Sequence, residues 1–383
     1  MDDARAIFLP LDALRRRRSA KWRTYDPDVL PLWVAEMDVA LAPAVVDALS
    51  TALTLGDTGY SHAGGLAETY AAFSARRYGW APAPERTSLS ADVMHGIAAV
   101  LELVTHHGEG VVINPPVYPP FRDFITHVRR RVIDVPLRRT ARGYAVDLDG
   151  LDQAFEDATA YLLCNPHNPI GQAWDRATLT AVADLAERHD VLVLADEVHA
   201  PLTYPGTTHV PFGSLDHPAA QRSAMFVAAS KAWNFPGLKT GLVLAGPLAH
   251  PDLAQLPWPV QSAAGLFGTI AAEAAFAEGE PWLTAVLDQL DDSRRLLGRL
   301  LGEQLPDVGY RMPDATYLAW LDCRGLGLGD DPAATFLERG RVALSHGHTF
   351  GGPGAGFARL NFATAQPILI DAVQRVAAAT IDR

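Results

Sequence analysis

The sequence predicts an α/β fold, with a large domain built on a mostly parallel, seven-stranded type of sheet covered by helices. A smaller α+β domain made from both chain ends completes it. Three observations carry that expectation. From about residue 90 to 245, short apolar runs alternate with helical stretches. After Gly265 the pattern becomes one long amphipathic segment followed by isolated strand-like runs. The 383 residues, 49% hydrophobic and 20% charged, suffice for one large core and a smaller one.

The runs are Val111–Asn114, Val132–Pro136, Tyr161–Cys164, Val191–Ala195, Met225–Ala229 and Gly241–Ala245. Four or five apolar residues without polar alternation mark strands buried on both faces, as in a parallel sheet flanked by helices. Among the intervening helices, Asp175–His189 (DRATLTAVADLAERH) has the clearest signature, an Asp cap followed by apolar residues at helical spacing. Beyond Gly265, a helix over Pro281–Leu305 leads to strands at Thr316–Leu321 and Phe357–Phe362 and a final helix from about Pro367. Residues 45–265 are assigned to the large domain, and 1–44 with 266–383 to the small one.

A formal net charge of −12 argues against a general role on nucleic acid or a membrane surface. Arg15-Arg16-Arg17-Arg18 is expected to be the solvated end of an N-terminal segment. Two cysteines, Cys164 and Cys323, suggest no disulfide framework and fit a reducing compartment. MDDARAIFLP lacks the pattern of a signal peptide, and no apolar run approaches the roughly 20 residues of a membrane span. A cytoplasmic location is therefore expected.

Ligands of an open parallel sheet bind at the carboxyl ends of its strands, so the residues after each run line the site. Pro115-Pro116-Val117-Tyr118 follows the first run, Asn165-Pro166-His167-Asn168-Pro169 follows the third, and Asp196-Glu197-Val198-His199 follows the fourth. Ser230-Lys231 follows the fifth, with Lys239 eight residues on. An aromatic ring, an amide, an acid and an amine thus share one crevice. Pyridoxal 5′-phosphate needs such a set: an amine for its aldehyde, a carboxylate for its pyridine nitrogen, a donor for its ring hydroxyl and a flat side chain to stack on.

These residues carry a resemblance. CNPHNPIG, ADEVHAPL and SKAWNFPGLKTG resemble the fold type I, aminotransferase-like pyridoxal-phosphate enzymes, and LPLWVAEMDV, TGYS, PPVYPPF and GFARLNFA resemble their cystathionine β-lyase (carbon–sulfur lyase) branch. The resemblance implies Lys231 as the lysine that holds the cofactor covalently and Asp196 as partner of the pyridine nitrogen. It places Asn168 and His199 near the ring hydroxyl and Tyr118 against the ring. For the phosphate it implies the Gly96-Ile97 amides in Asp92–Ile97, Lys239, Ser230 and, from the neighbouring subunit of a homodimer with shared sites, Tyr60. Arg359 would bind the substrate carboxylate, with Trp33 on the substrate side. Ala228 stands where relatives often carry a phosphate-binding serine, and Glu36 and Val39 depart from their VADMDF block.

The implied activity is β-elimination from L-cystathionine or another S-substituted L-cysteine, giving pyruvate, ammonia and a thiol. Transamination of an L-amino acid uses the same machinery and stays open, as does a regulatory protein that keeps the fold. The Gly-rich segment 345–356 is expected to be a mobile loop over the site. His346-Gly347-His348 lacks an acidic or thiol partner in the sequence, so no metal is expected.

Overall fold

The computed structural model describes residues 7–249, 251–253 and 256–381. The first six residues of the stretch read for a leader lie outside them. The strands in chain order are β1 (Leu30–Pro31), β2 (Thr87–Ser90), β3 (Gly110–Ile113), β4 (Arg131–Asp134), the hairpin β5–β6 (Arg138–Thr140, Gly143–Ala145), β7 (Ala160–Cys164) and β8 (Leu192–Asp196). They continue with β9 (Ala224–Val227), β10 (Gly241–Ala245), β11 (Gly309–Tyr310), β12 (Leu318–Asp322), β13 (Val342–Ala343), β14 (Ser345–His346) and β15 (Phe357–Asn361).

The large sheet has seven strands in the order β2-β10-β9-β8-β7-β3-β4. Neighbours from β9 to β4 run parallel, while β10 is antiparallel to both β9 and β2. The runs read from the sequence match six of these strands to within two residues at each end. The seventh, β2, is the polar stretch TSLS at the sheet's edge, paired with β10, so it carries no apolar run to betray it. Every residue of β3, β7, β9 and β10 is buried, as helices on both faces require. The helix Arg176–Arg188 begins as expected, with the Asp175 carboxylate accepting from the Thr178 amide at 2.8 Å.

The chain ends meet in a second unit. Its sheet has the order β11-β12-β15-β14, and β1 pairs in parallel with β13, joining residues 30–31 to residues 342–343. The helix Leu266–Glu278 packs instead on helices Pro43–Leu55 and Leu66–Tyr78. The long helix Glu280–Gln304 follows and packs on the C-terminal helix Gln366–Ala379. Buried Arg294 on the long helix lies 4.0 Å above the ring of Tyr204, and the Tyr204 hydroxyl donates to the Thr316 carbonyl at 2.6 Å.

Two expectations need correction. Arg17 is not a solvated residue: it is half-buried and its guanidinium donates to the Met37 and Val39 carbonyls, leaving Arg15, Arg16 and Arg18 exposed. The segment 345–356 is not a loose loop either. Its start pairs with β15, Phe350 is buried, and the Phe350 carbonyl accepts from the Val117 amide at 3.0 Å. Glycines lower a segment's cost of turning without preventing its side chains from docking.

Candidate active site

Because β3, β7, β8 and β9 run parallel, the residues that follow them converge. Val93, Tyr118, Asp196, Lys231 and Lys239 line one cavity of about 290 Å³. The turn after β9 is held by Trp233, fully buried, whose indole donates to the Gly279 carbonyl at 3.0 Å. That anchor leaves the neighbouring Lys231 at the cavity wall, its Nζ donating to the Ala35 carbonyl at 3.2 Å. Ser230 lines the same cavity.

Burial governs the charges here. Asp196 ends β8, and desolvation lifts its carboxyl to about 7 against the opposing pull of the Val198 amide and the Lys231 charge. Lys231 is brought down to about 8, by burial first and by the Arg359 charge next. His199 falls to about 3, again through burial and then the Lys231 and Arg359 charges, so its ring is neutral. Its Nδ1 is buried without a hydrogen-bond partner among the described residues, which leaves a donor or acceptor open.

Arg359 lies on β15 with its side chain buried, and burial lowers it to about 10, still a cation at neutral pH. It donates to the Asn168 side-chain oxygen at 2.9 Å, to the Trp33 carbonyl at 2.8 Å and to the Ser345 hydroxyl at 3.0 Å, with the Phe350 ring 5.0 Å from its Cζ. Its Nε is buried and unbonded among the described residues, as is the Trp33 Nε1. A fixed guanidinium with an open donor suits a carboxylate. Asn168 and Arg359, foreseen as separate contacts, are thus directly coupled.

The block WVAEMD is held through its backbone, apart from Asp38, whose buried carboxylate pairs with Lys21 at 2.8 Å. Asn361 Nδ2 donates to the Val34 and Glu36 carbonyls at 2.8 and 2.7 Å, and the Tyr317 hydroxyl to Ala35 at 3.1 Å. Asn234 takes both polar groups of Met37, accepting from its amide at 2.6 Å and donating to its carbonyl at 2.8 Å. Asn234, Tyr317 and Asn361 escaped the sequence reading. Asn234 adopts φ +61°, a conformation asparagine tolerates well. The Glu36 side chain faces away, accepting from the Ser19 hydroxyl at 2.7 Å.

Gly96 and Ile97, expected at the phosphate-binding turn, do not open the helix. The helix starts one turn earlier, at Val93, with Asp92 as its cap. Gly96 is buried, its amide bonded to the Asp92 carbonyl at 3.0 Å, and a Cβ there would meet Val243 at 2.9 Å. Its role is close packing of helix on sheet. The first-turn amides of Val93 and Met94, which no intrahelical carbonyl can satisfy, border the cavity instead. Lys239 stands beside them because the Gly265 amide donates to its carbonyl at 2.7 Å, while Gly268 allows the Leu238 carbonyl within 2.3 Å of where a Cβ would lie. Asp92 shares this end: its carboxylate accepts from the His95 amide and from Lys239 Nζ, each at 2.9 Å. Tyr60 does not join the group, being 98% exposed.

An amine beside a buried carboxyl, a flanking tyrosine ring, a histidine with a free buried nitrogen, and a lysine at a helix N-terminus together fit pyridoxal phosphate. A profile for aminotransferase class I and II matches residues 27–375. The chain is 46% identical to a Mycobacterium tuberculosis protein named "putative cystathionine beta-lyase", covering 98% of each. It is 34% identical to the cystathionine β-lyase of Corynebacterium glutamicum, covering 97% of this chain and 99% of that one. Among solved structures, it superposes with a TM-score of 0.91 and 34% identity on a Corynebacterium diphtheriae protein described as a "putative plp-dependent beta-cystathionase", covering 98% and 99% of the two chains.

Proposed function

The chain belongs to the aminotransferase class I and II family, and from that premise we propose that it is a pyridoxal-phosphate-dependent carbon–sulfur β-lyase. The substrate class is L-cystathionine and other S-substituted L-cysteines. The observation that carries this reading is Lys231 and Asp196 on one cavity, with the charge of the Asn168-bonded Arg359 acting on Lys231, in a chain 34–46% identical to proteins named as cystathionine β-lyases.

Lys231 would hold the cofactor's aldehyde, Asp196 its pyridine nitrogen, Tyr118 its ring face, and Val93, Met94 and Lys239 its phosphate, with Asn168 and His199 toward the ring hydroxyl. When bound, the cofactor supplies a protonated ring that spreads the charge left at Cα after proton loss. Arg359 takes the substrate carboxylate and fixes the orientation of the Cα–H bond. Lys231, displaced by the substrate amine, accepts the Cα proton on Nζ, and an amine lowered to about 8 is well matched to that task near neutral pH. Asp196 keeps the proton of the pyridine nitrogen in place. The Cβ–S bond breaks with its electron pair on sulfur, so a thiolate departs, and water completes the conversion to pyruvate and ammonia.

The active unit is a homodimer in this reading. Support comes from Tyr60, 98% exposed, and from Leu53, Leu55 and Trp258, exposed apolar side chains that a second subunit could cover. Cys164 and Cys323, both free and buried, support a reducing, cytoplasmic setting. No described helix is long and apolar enough to cross a membrane. Product analysis tests the reaction: pyruvate, ammonia and free thiol should form in equal amounts with no ketoacid added. Turnover that requires a ketoacid and yields its amino acid would make the protein an aminotransferase.

A further inference from the structure

His346 and His348 had no third donor in the sequence around them. The fold supplies one from fifteen residues upstream. Asp331 precedes the helix Pro332–Gly340, and its carboxylate meets His346 Nδ1 at 2.8 Å and lies 3.9 Å from His348 Nδ1. The ligating atoms of the three residues all lie within 4.8 Å of one another. Ligands of a tetrahedral zinc ion, each about 2.0–2.2 Å from the metal, stand roughly 3.3 Å apart. Small rotations of three partly exposed side chains would reach that spacing.

We propose that Asp331, His346 and His348 form a divalent transition-metal site, of the zinc class, that pins the 347–354 turns to the start of the helix Pro332–Gly340. Two imidazoles and one carboxylate are a donor set that suits zinc, with water completing the coordination. Binding replaces the contact between His346 and Asp331 by two bonds to the metal and releases any proton held there. Asp331 is free to take this role, because its side chain caps no amide of its own helix.

The site has a mechanical reach. His346 is paired with Ala358 on β15, and the adjacent Ser345 is paired with Arg359 and bonded to its guanidinium. The pinned turns carry Phe350, which packs against Arg359. Occupancy therefore stiffens the support of Arg359 from a point outside the cavity, and none of the three ligands takes part in the proposed chemistry.

Titration of the metal-free holoenzyme with Zn²⁺ alone, followed by equilibrium dialysis, tests the site. One equivalent per chain is expected, and Asp331→Asn and His348→Ala should each weaken it by at least about tenfold. Hydrogen exchange over residues 345–354 should slow on adding Zn²⁺ to the wild type and not in either variant. The absence of a stoichiometric equivalent, or equal binding by wild type and both variants, would overturn the site. Binding without slower exchange would overturn the pinning.

Discussion

Asp92 and Lys239 are bonded to each other, Oδ2 to Nζ at 2.9 Å, at the helix N-terminus where the phosphate is proposed to sit. A carboxylate thus shares the helix's positive end and its lysine with a second anion. Burial raises the Asp92 carboxyl, but the bonds from His95 and Lys239 outweigh it and leave it below the ordinary range. At neutral pH the charge is present.

Asp92→Asn keeps a capping side chain and removes that charge. Cofactor retention should tighten by about threefold to tenfold, the equivalent of roughly 0.7–1.4 kcal/mol of relieved repulsion near a helix end. Equilibrium dialysis of pyridoxal phosphate measures it directly. Weaker retention in the variant would show that Asp92 positions Lys239 for the phosphate and does not compete with it.

Asp196 predicts an opposition between stability and function. Its carboxyl sits at about 7 in the folded chain against about 3.9 unfolded, so between those values the folded state holds a proton that the unfolded state has lost. Stability from this group is present at low pH and disappears as pH rises through 7, by on the order of 2–4 kcal/mol. Cofactor-free Asp196→Asn should therefore melt increasingly above cofactor-free wild type from pH 5 to pH 7 and by a constant margin above that, while the turnover of its holoenzyme falls by several orders of magnitude. A melting difference independent of pH would contradict the buried-charge account.

Asn234→Ala should lower stability by roughly 1–3 kcal/mol, because the buried Met37 amide loses its partner, while the Met37 carbonyl keeps the Arg17 guanidinium. The strip from Trp33 to Met37 also carries the Ala35 carbonyl that Lys231 touches. Turnover should thus fall more than substrate affinity, measured as kcat against KM. A stability loss with unchanged kcat would confine Asn234 to structure.

Reduction of the holoenzyme with borohydride and peptide mapping should place the pyridoxyl group on Lys231, and recovery on Lys239 would exchange their roles. Lys231→Ala should lose turnover yet retain cofactor noncovalently. Mixed and reassembled with inactive Tyr60→Asp, it should regain activity through hybrid sites holding both native residues. A fully active monomer in sedimentation would end the shared-site proposal.

The residues after the strands were legible because local pattern is enough to locate them. Apolar runs of four or five residues mark buried strands, and parallel direction brings Tyr118, Asn168, Asp196 and Lys231 to one edge. The start of the helix Val93–Val104 was misread by one turn. An apolar helix with a glycine inside it looks as though it starts at that glycine, although Asp92 carried the capping signal.

What the sequence by itself determined, then, was six strands of the large sheet and the chemistry set down at their ends, since both follow from spacing within short windows. Only the tertiary structure decided what crosses between distant segments: Arg17 on the Met37 and Val39 carbonyls, Asn234 and Asn361 on the strip beside Lys231, and Asp331 beside His346 and His348. Such pairs depend on where the backbone of one unit comes to rest on another. Their donors and acceptors are mostly single polar residues and main-chain groups, which leave no periodic trace in the chain.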